Sequence, residues 1–520
     1  MRSEAIVHSA EAYEDKFSLT IVMISSMAGV LMQTLDSTIA NVALPHMQGS
    51  LSASRDQITW VLTSYIVSAA IMTAPVGWFA SRFGKKRLAL ISLGGFTIMS
   101  MACGAAQSLD QMVIFRLMQG AFGAALSPLS QAIMLDLYPP EKRGAIMGIW
   151  SMGVMLGPIL GPTLGGVLTE SYSWRWVFYV NVPFGIAAVS GIWLFFKDTS
   201  HDRSMRFDWF GFGMLAIGLG ALQLMLDRGT DKDWFGSTEI ILEAVIAALG
   251  LYLFAIHLLT EKKPFIPKEV FRDRNFISAM VLMFATGAVL LASSALLPPY
   301  LQNLGGYSVT EAGLLMAPRG IGTMLSMLIA GRAVYRFDPR LMMSFGVGSL
   351  VWSMWMMSGW TPSIDIWTLT FVSVIQGFGM GFIFVPLNMT AFATLPVSIR
   401  TDGAALMNLM RNVGSAIGVS VTTTLLTQSV QTIHAQLAPF ASPFNRALGV
   451  NAPSMMMNPK IPFGLATLNG LMEMRAQIQA YANDFLFMAI GSIPAIFIVW
   501  LMRRPQFIAG APMSKPEPAE

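Results

Sequence analysis

Gly77-Trp-Phe-Ala-Ser-Arg-Phe-Gly-Lys-Lys-Arg-Leu88 and Gly331-Arg-Ala-Val-Tyr-Arg-Phe-Asp-Pro-Arg-Leu341 are two versions of one short basic turn between apolar runs. A second pair repeats at nearly the same spacing: Gln119-Gly120 with Pro128-Leu129, and Gln376-Gly377 with Pro386-Leu387, an offset of about 255 residues. Fixed-period self-similarity marks a duplicated architecture. Each basic turn follows the second apolar run of a set of six, so the chain reads as two six-helix halves. Transporters are commonly built from such repeats, with the substrate site at the repeat interface near mid-membrane.

The composition agrees. Of 520 residues, 54% are hydrophobic and 12% charged, against about 25% charged in a soluble globular chain. A span needs about 20 apolar residues, and fourteen runs qualify: 17–46, 57–80, 87–106, 110–136, 143–168, 175–196, 209–226, 237–260, 274–302, 310–334, 339–359, 364–393, 402–428 and 480–502. Their length and lack of period-two alternation favour helices over barrel strands. The expected fold is an all-α polytopic membrane protein.

Its organisation is a polar segment 1–16, a six-helix bundle 17–196, two inserted helices in 209–260, a second bundle 274–502 and a tail 503–520. No cleavable leader is expected at the N-terminus. Most of the 33 lysines and arginines fall on one side when both termini are placed in the cytoplasm, as the positive-inside rule requires. Arg82, Lys85, Lys86 and Arg87 form one such cluster, and Lys262, Lys263, Lys268, Arg272 and Arg274 another. Trp60, Trp174, Trp209, Trp360 and Trp500 fall near helix ends, where an interfacial belt is expected. Segment 429–479 is the one long external stretch, with an amphipathic helix from Leu465 to Ala482. Glu239, Glu243 and Asp484 are expected in first turns near that outer surface.

The net charge of +4 is too small to argue for nucleic acid, and the single cysteine, Cys103, permits no cysteine cluster. Neither a metal nor a cofactor is expected. Ionisable groups in a bilayer core are costly and mark function by default. Asp36 lies in Leu35-Asp-Ser-Thr-Ile-Ala-Asn-Val-Ala-Leu-Pro45, roughly 13 Å below the outer end at 1.5 Å per residue. Arg116 lies in Arg116-Leu-Met-Gln-Gly-Ala-Phe-Gly123, roughly 9 Å down. Gln119 is one turn further along the same face. Desolvation favours the protonated form of a carboxylate, and a nearby guanidinium favours the ionised form. Alternating exposure would thus load and unload a proton; a purely structural Asp–Arg pair is the other reading. The counterpart of Arg116 in the second half falls near Ser373, so this chemistry is confined to the first half. Arg319 and Arg411 are the remaining intramembrane charges. They attract anionic substrates or cap carbonyls. With Gln33, Asn41, Gln119 and Asn408 they are the residues expected in the substrate cavity.

Gly153, Gly157, Gly161 and Gly165 recur at four-residue spacing with Pro158 and Pro162 between them. Small stripes allow close helix approach, and proline permits a kink. In the first basic turn Gly77, Ser81, Arg82, Gly84 and Lys85 read as a topology signal or as a cytoplasmic latch.

Together these elements resemble the major facilitator superfamily, and within it the fourteen-helix drug:proton antiporters of the EmrB/QacA family, over essentially the whole chain. Leu35-Asp36-Ser37-Thr38 with Asn41-Val-Ala-Leu-Pro45 resembles the family's helix 1 motif. Arg116 with Gln119-Gly120 resembles its helix 4 motif, whose arginine is implicated in proton transfer. The glycine stripe with Gly157-Pro158 and Gly165-Gly166 resembles the antiporter motif of helix 5. Trp174-Arg-Trp-Val-Phe-Tyr-Val-Asn-Val-Pro183 is similar to the start of helix 6, and Leu226-Asp-Arg-Gly229 followed by Asp233-Trp-Phe235 is similar to the EmrB-like branch. The loop motif has aspartate where this chain has Ser81, which keeps a hydroxyl and loses the charge.

The resemblance implies a major facilitator fold, two six-helix bundles plus two extra central helices. It also implies proton-driven export of hydrophobic or amphipathic drugs by alternating access, with Asp36 and Arg116 coupling protons and helices 1, 4, 5, 9, 10 and 13 around the cavity. One acid against three arginines tilts the expectation toward weak acids. The branch further implies a Gram-negative inner membrane, a periplasmic adaptor protein and an outer-membrane channel, with 429–479 as the adaptor contact. A dedicated exporter of one metabolite class (organic acid, siderophore or lipid) is the alternative. A membrane enzyme is disfavoured, because no His-x-x-x-His, useful cysteine or paired acid supplies an active site.

Overall fold

The computed structural model describes residues 16–197, 206–441, 458–459 and 461–503. Most of segment 1–16, most of the tail 503–520 and residues 442–457 of the long external stretch lie outside the described residues. In chain order the main helices are α1 (Lys16–Ser50), α2 (Trp60–Thr73 continued by Val76–Phe83), α3 (Lys85–Ala105), α4 (Leu109–Gly123 continued by Leu126–Leu137), α5 (Pro140–Ser171), α6 (Trp176–Tyr179 continued by Asn181–Phe195), α7 (Trp209–Arg228) and α8 (Thr238–Thr260). They continue as α9 (Arg274–Pro299), α10 (Val309–Ala333), α11 (Pro339–Met357), α12 (Ile366–Ala393), α13 (Arg400–Leu437) and α14 (Pro462–Leu501). Among the described residues ten helical stretches are long and apolar enough to span a membrane. α2, bent by 58°, and α5, bent by 41°, make twelve. The two that fall short are α11 and α13, the latter carrying Asp402, Asn408, Arg411 and a run of threonines.

Short polar residues start many of these helices by accepting a free first-turn N–H. Ser108 accepts from Gln111, Asp208 from Gly211 and Asp273 from Phe276, while Ser308 and Glu311 form a reciprocal capping box.

Helix pairing repeats between the halves. α1 packs on α5 and α6, α2 on α4, and α3 on α4 and α6; in the same pattern α9 packs on α13 and α14, α10 on α12, and α11 on α12 and α14. The inserted α7 packs on α8, α2 and α13. At one end Trp78 Nε1 donates to Arg206 O at 3.2 Å, and Phe207 lies 4.7 Å from the Trp78 ring. At the other end Thr63 donates to Asp227, Ser420 Oγ to Leu226 O at 2.9 Å and Trp234 Nε1 to Thr424 Oγ1 at 2.9 Å. The hairpin therefore ties α2 to α13.

Four expectations need correction. α13 runs through Leu437 and α14 starts at Pro462, so the described parts of 429–479 are largely extensions of two helices, not loop. The helix expected at 465–482 and the span at 480–502 are one helix. Asp484 consequently lies mid-helix and 1% exposed, not in an interfacial first turn. Trp174 and Trp360 are buried at 6% exposure instead of joining an interfacial belt.

Candidate functional site

Asp36 on α1 is the centre of a polar knot inside the first half. Asp36, Arg116 and Gln119 are all fully buried. Arg116 Nη1 donates to Asp36 Oδ2 at 2.5 Å and to Gln119 Oε1 at 2.8 Å, and its Nε donates to Val61 O of α2 at 3.1 Å. Gln119 Nε2 donates to Asp36 Oδ1 at 2.9 Å. Asn181 of α6 adds a donor to Asp36 Oδ1 at 3.3 Å and another to Ser100 Oγ of α3 at 3.1 Å. The Arg116 guanidinium lies 4.1 Å over the Tyr65 ring. Five helices thus meet around one carboxylate, and in this knot Arg116 Nη2 and the Tyr65 hydroxyl lack partners. A buried pair is tolerable when hydrogen bonds satisfy its remaining atoms, and here Gln119 and Asn181 supply them.

Asn181 carries no charge, so the rarity of ionisable groups in apolar helices does not mark it. Its place in Trp174-Arg-Trp-Val-Phe-Tyr-Val-Asn181, at the start of α6, was the available signal. Gln119, expected in the substrate cavity, belongs to this knot instead, since its side chain points from α4 into the half.

The glycine stripe of α5 lies on α1. A Cβ at Gly157 would fall 2.6 Å from Leu35 N, one at Gly165 3.0 Å from Ile39 Cγ1, and one at Gly153 2.9 Å from Met27 Cε. Gly161 faces Thr38, whose hydroxyl donates to Gly157 O at 3.2 Å. Pro158 is exposed. The helix that carries Asp36 is therefore in backbone contact with α5 on either side of the carboxylate.

The halves meet at the end of the bundle that carries the α2–α3, α4–α5 and α10–α11 connections, called basal below. Gly144 and Gly331 sit backbone to backbone, a Cβ at Gly144 falling 2.6 Å from Gly331 O. Gly144 N donates to Tyr335 Oη at 2.7 Å, and burial pushes the Tyr335 phenol above its ordinary pKa. Gln131 Nε2 donates to Asn388 Oδ1 at 2.7 Å and Ser127 Oγ to Asn408 Oδ1 at 3.0 Å. In the basal turn Lys85 pairs with Asp136, which is 3.8 Å from Arg400 of the second half. Gly84 caps the turn at φ +86°, a conformation that favours glycine. Gly77 faces the Asp402 side chain, so an acid near this turn comes from the first turn of α13 while position 81 holds serine. Ser81 and Arg82 are half-buried beside it.

Along one face of α1, Ser26 and Val30 are buried, Gln33 is half-buried, and Ser37 and Asn41 are exposed. Burial falls steadily away from the basal end, so the interface is sealed there and open at the distal end. Above the seal Gln131, Trp150, Met155, Asn388, Asn408 and Arg411 line a cavity of about 10 Å³, the size of one water. α12 joins the lining, unlike the expected helix set. Arg319 is 7% exposed and donates to Leu290 O at 3.3 Å and Ser293 Oγ at 3.2 Å. Among the described residues no carboxylate pairs with Arg319 or Arg411.

The family model described as Major Facilitator Superfamily matches residues 26–419. The chain belongs to the major facilitator superfamily. This superfamily chain is 38% identical over 430 residues to the multidrug export protein EmrB of Escherichia coli (strain K12), covering 82% of this chain and 84% of that one. It is 33% identical over 494 residues to the fatty acid resistance protein FarB of Neisseria gonorrhoeae, covering 94% and 97%. Its fold matches the crystal structure of the human organic anion transporter MFSD10 with a TM-score of 0.59 at 13% identity, over 92% of this chain and 98% of that one. It is thus a multi-pass membrane transporter of the EmrB-like type and not an enzyme.

Proposed function

We propose that this transporter exports hydrophobic or amphipathic small molecules in exchange for protons, by alternating access. The observation that carries the reading is the placement of Asp36: sealed among Arg116, Gln119 and Asn181, on the helix against which the α5 glycines pack. A shift of α1 on α5 changes how well the carboxylate is paired, and proton affinity follows the pairing. The basal face is cytoplasmic in this reading, with both termini in the cytoplasm and the distal opening toward the periplasm.

Gradient-driven uptake into inverted vesicles tests it. Each exchanged proton supports about tenfold substrate accumulation per pH unit, because one unit is worth about 1.36 kcal/mol. Asp36→Asn is expected to lower the accumulation by about that factor while leaving exchange at equal pH intact. Unchanged accumulation in the variant would move the proton site elsewhere; no gradient dependence in the wild type would end the antiport reading.

A narrower second reading, export of anionic amphiphiles, is favoured by Arg411, which lines the interfacial cavity, and by the buried Arg319, neither with a carboxylate partner among the described residues. FarB, named for fatty acid resistance, makes it concrete. Dodecanoate and ethidium in the same vesicles separate the readings: the narrow one requires transport of dodecanoate alone.

We also infer assembly with a periplasmic adaptor and an outer-membrane channel. α13 and α14 have 38 and 40 residues, or about 57 and 60 Å at 1.5 Å per residue, against about 30 Å of hydrocarbon. His434 Nε2 and Asn469 Oδ1 meet at 3.0 Å in the extension. Deleting 439–460 should weaken co-purification of the adaptor, and an unchanged yield would refute that contact.

A further inference from the structure

The second half holds its own buried acid. Asp484 of α14 is 1% exposed and leaves Oδ2 without a hydrogen-bond partner. Tyr481 and Phe485 share its buried helix face at helical spacing. Their rings pack with two residues that carry orphaned polar atoms. Tyr300 lies 5.3 Å from Tyr481 and 6.4 Å from Phe485, and Trp360 lies 6.3 Å from Phe485 and 6.0 Å from Tyr300. Tyr300 Oη and Trp360 Nε1 are both buried without partners. Tyr300, Trp360, Tyr481 and Phe485 therefore form one aromatic cluster with two unsatisfied donors, and Asp484, with its unsatisfied acceptor, adjoins Phe485 on the same buried helix face. Native proteins leave few such atoms, and each asks for an explanation.

Among the described residues no cation pairs with the carboxylate. α14 packs on α9, α11 and α13. Their charged groups are Arg274 on α9, Arg340 on α11, and Arg400, Asp402, Arg411 and His434 on α13; α14 itself adds Glu473 and Arg475. No ion pair to Asp484 occurs among the described residues. An ionised carboxylate buried without cation or donors is costly. The neutral acid is what this arrangement accommodates.

The donors sit where the backbone can change. Pro298 and Pro299 end α9, and Tyr300 opens a π-helical turn, Tyr300–Leu304. Gly306 follows at φ +70°. π-turns cluster at functional sites, and a proline removes a helix hydrogen bond that would resist re-forming. Re-winding this turn would move the Tyr300 hydroxyl relative to α14.

We propose that Asp484 is a second proton-carrying group, neutral while the Tyr300 and Trp360 donors are withheld and ionised when movement of the α9 turn presents them. Only an O–H bond at the carboxyl forms and breaks; the proton comes from water on one face and leaves to water on the other. This rests on the antiport reading and deepens it: coupling is shared by both halves.

The test uses the full chain in proteoliposomes. Infrared difference spectra taken across pH should show a protonated-carboxyl band that is absent in Asp484→Asn and present in Asp36→Asn. Under an imposed gradient Asp484→Asn should lower dodecanoate or ethidium accumulation by about tenfold per pH unit, with exchange at equal pH retained. An unchanged spectrum, or wild-type accumulation in Asp484→Asn, overturns the inference and leaves the antiport reading standing. If Asp484→Asn loses exchange altogether, Asp484→Glu decides. A carboxyl band restored at a shifted position supports the proton role, and restored exchange without such a band overturns it. A wild type indifferent to the gradient overturns both.

Discussion

Arg116→Ala is expected to destabilise the protein by about 3–5 kcal/mol, the usual cost of removing one partner from a buried ion pair. The guanidinium satisfies Asp36, Gln119 and the Val61 carbonyl at once, and its loss strands a carboxylate at 0% exposure. Gln119 and Asn181 remain as donors but bring no charge. The double variant Arg116→Ala/Asp36→Asn should recover part of the loss, because the stranded charge is gone; such non-additivity is the signature of a coupled pair. Thermal melting of the detergent-solubilised variants reads both effects. A double variant no more stable than Arg116→Ala would show that the cost comes from lost packing over Tyr65 and not from charge.

Gly157→Val should reduce exchange at equal pH by on the order of 10²-fold, the scale on which angstrom displacements act at a positioned site. The new Cβ would lie 2.5 Å from Thr34 C and 2.6 Å from Leu35 N. Both are backbone atoms, so α1 itself must move, and Asp36 moves with it. Gly166→Ala is the matched control, since nothing lies within 4 Å of its added Cβ. Exchange measured on purified, reconstituted protein separates the two, and equal rates for both variants would remove the α1–α5 contact from the transport cycle.

The fold was legible because membrane spans and a duplicated turn leave strong signals: long apolar runs, and Gly77–Leu88 echoed at Gly331–Leu341. Asp36 and Arg116 stood out because charge in an apolar helix is rare. What stayed hidden was set by three-dimensional neighbours. Asn181 is neutral, so nothing in its own helix marks it as a partner of Asp36. Gln119 reads equally well as cavity or knot until α1 is placed beside α4. Trp174 and Trp360 lie near helix ends, and only packing distinguishes a buried ring from one at the lipid surface. Asp484 is hidden by a boundary: the polar stretch before residue 480 reads as a separate helix, yet one unbroken helix runs from Pro462 to Leu501, with Pro494 inside it.

Cys103 is the chain's single cysteine, fully buried, with its Sγ donating to Gln119 Oε1 at 3.5 Å. The unmodified protein therefore carries a built-in chemical clock at the knot around Asp36. A membrane-permeant maleimide can reach that thiol only in molecules whose knot has loosened, so the rate of alkylation counts those molecules directly. No residue need be engineered to watch the first half breathe.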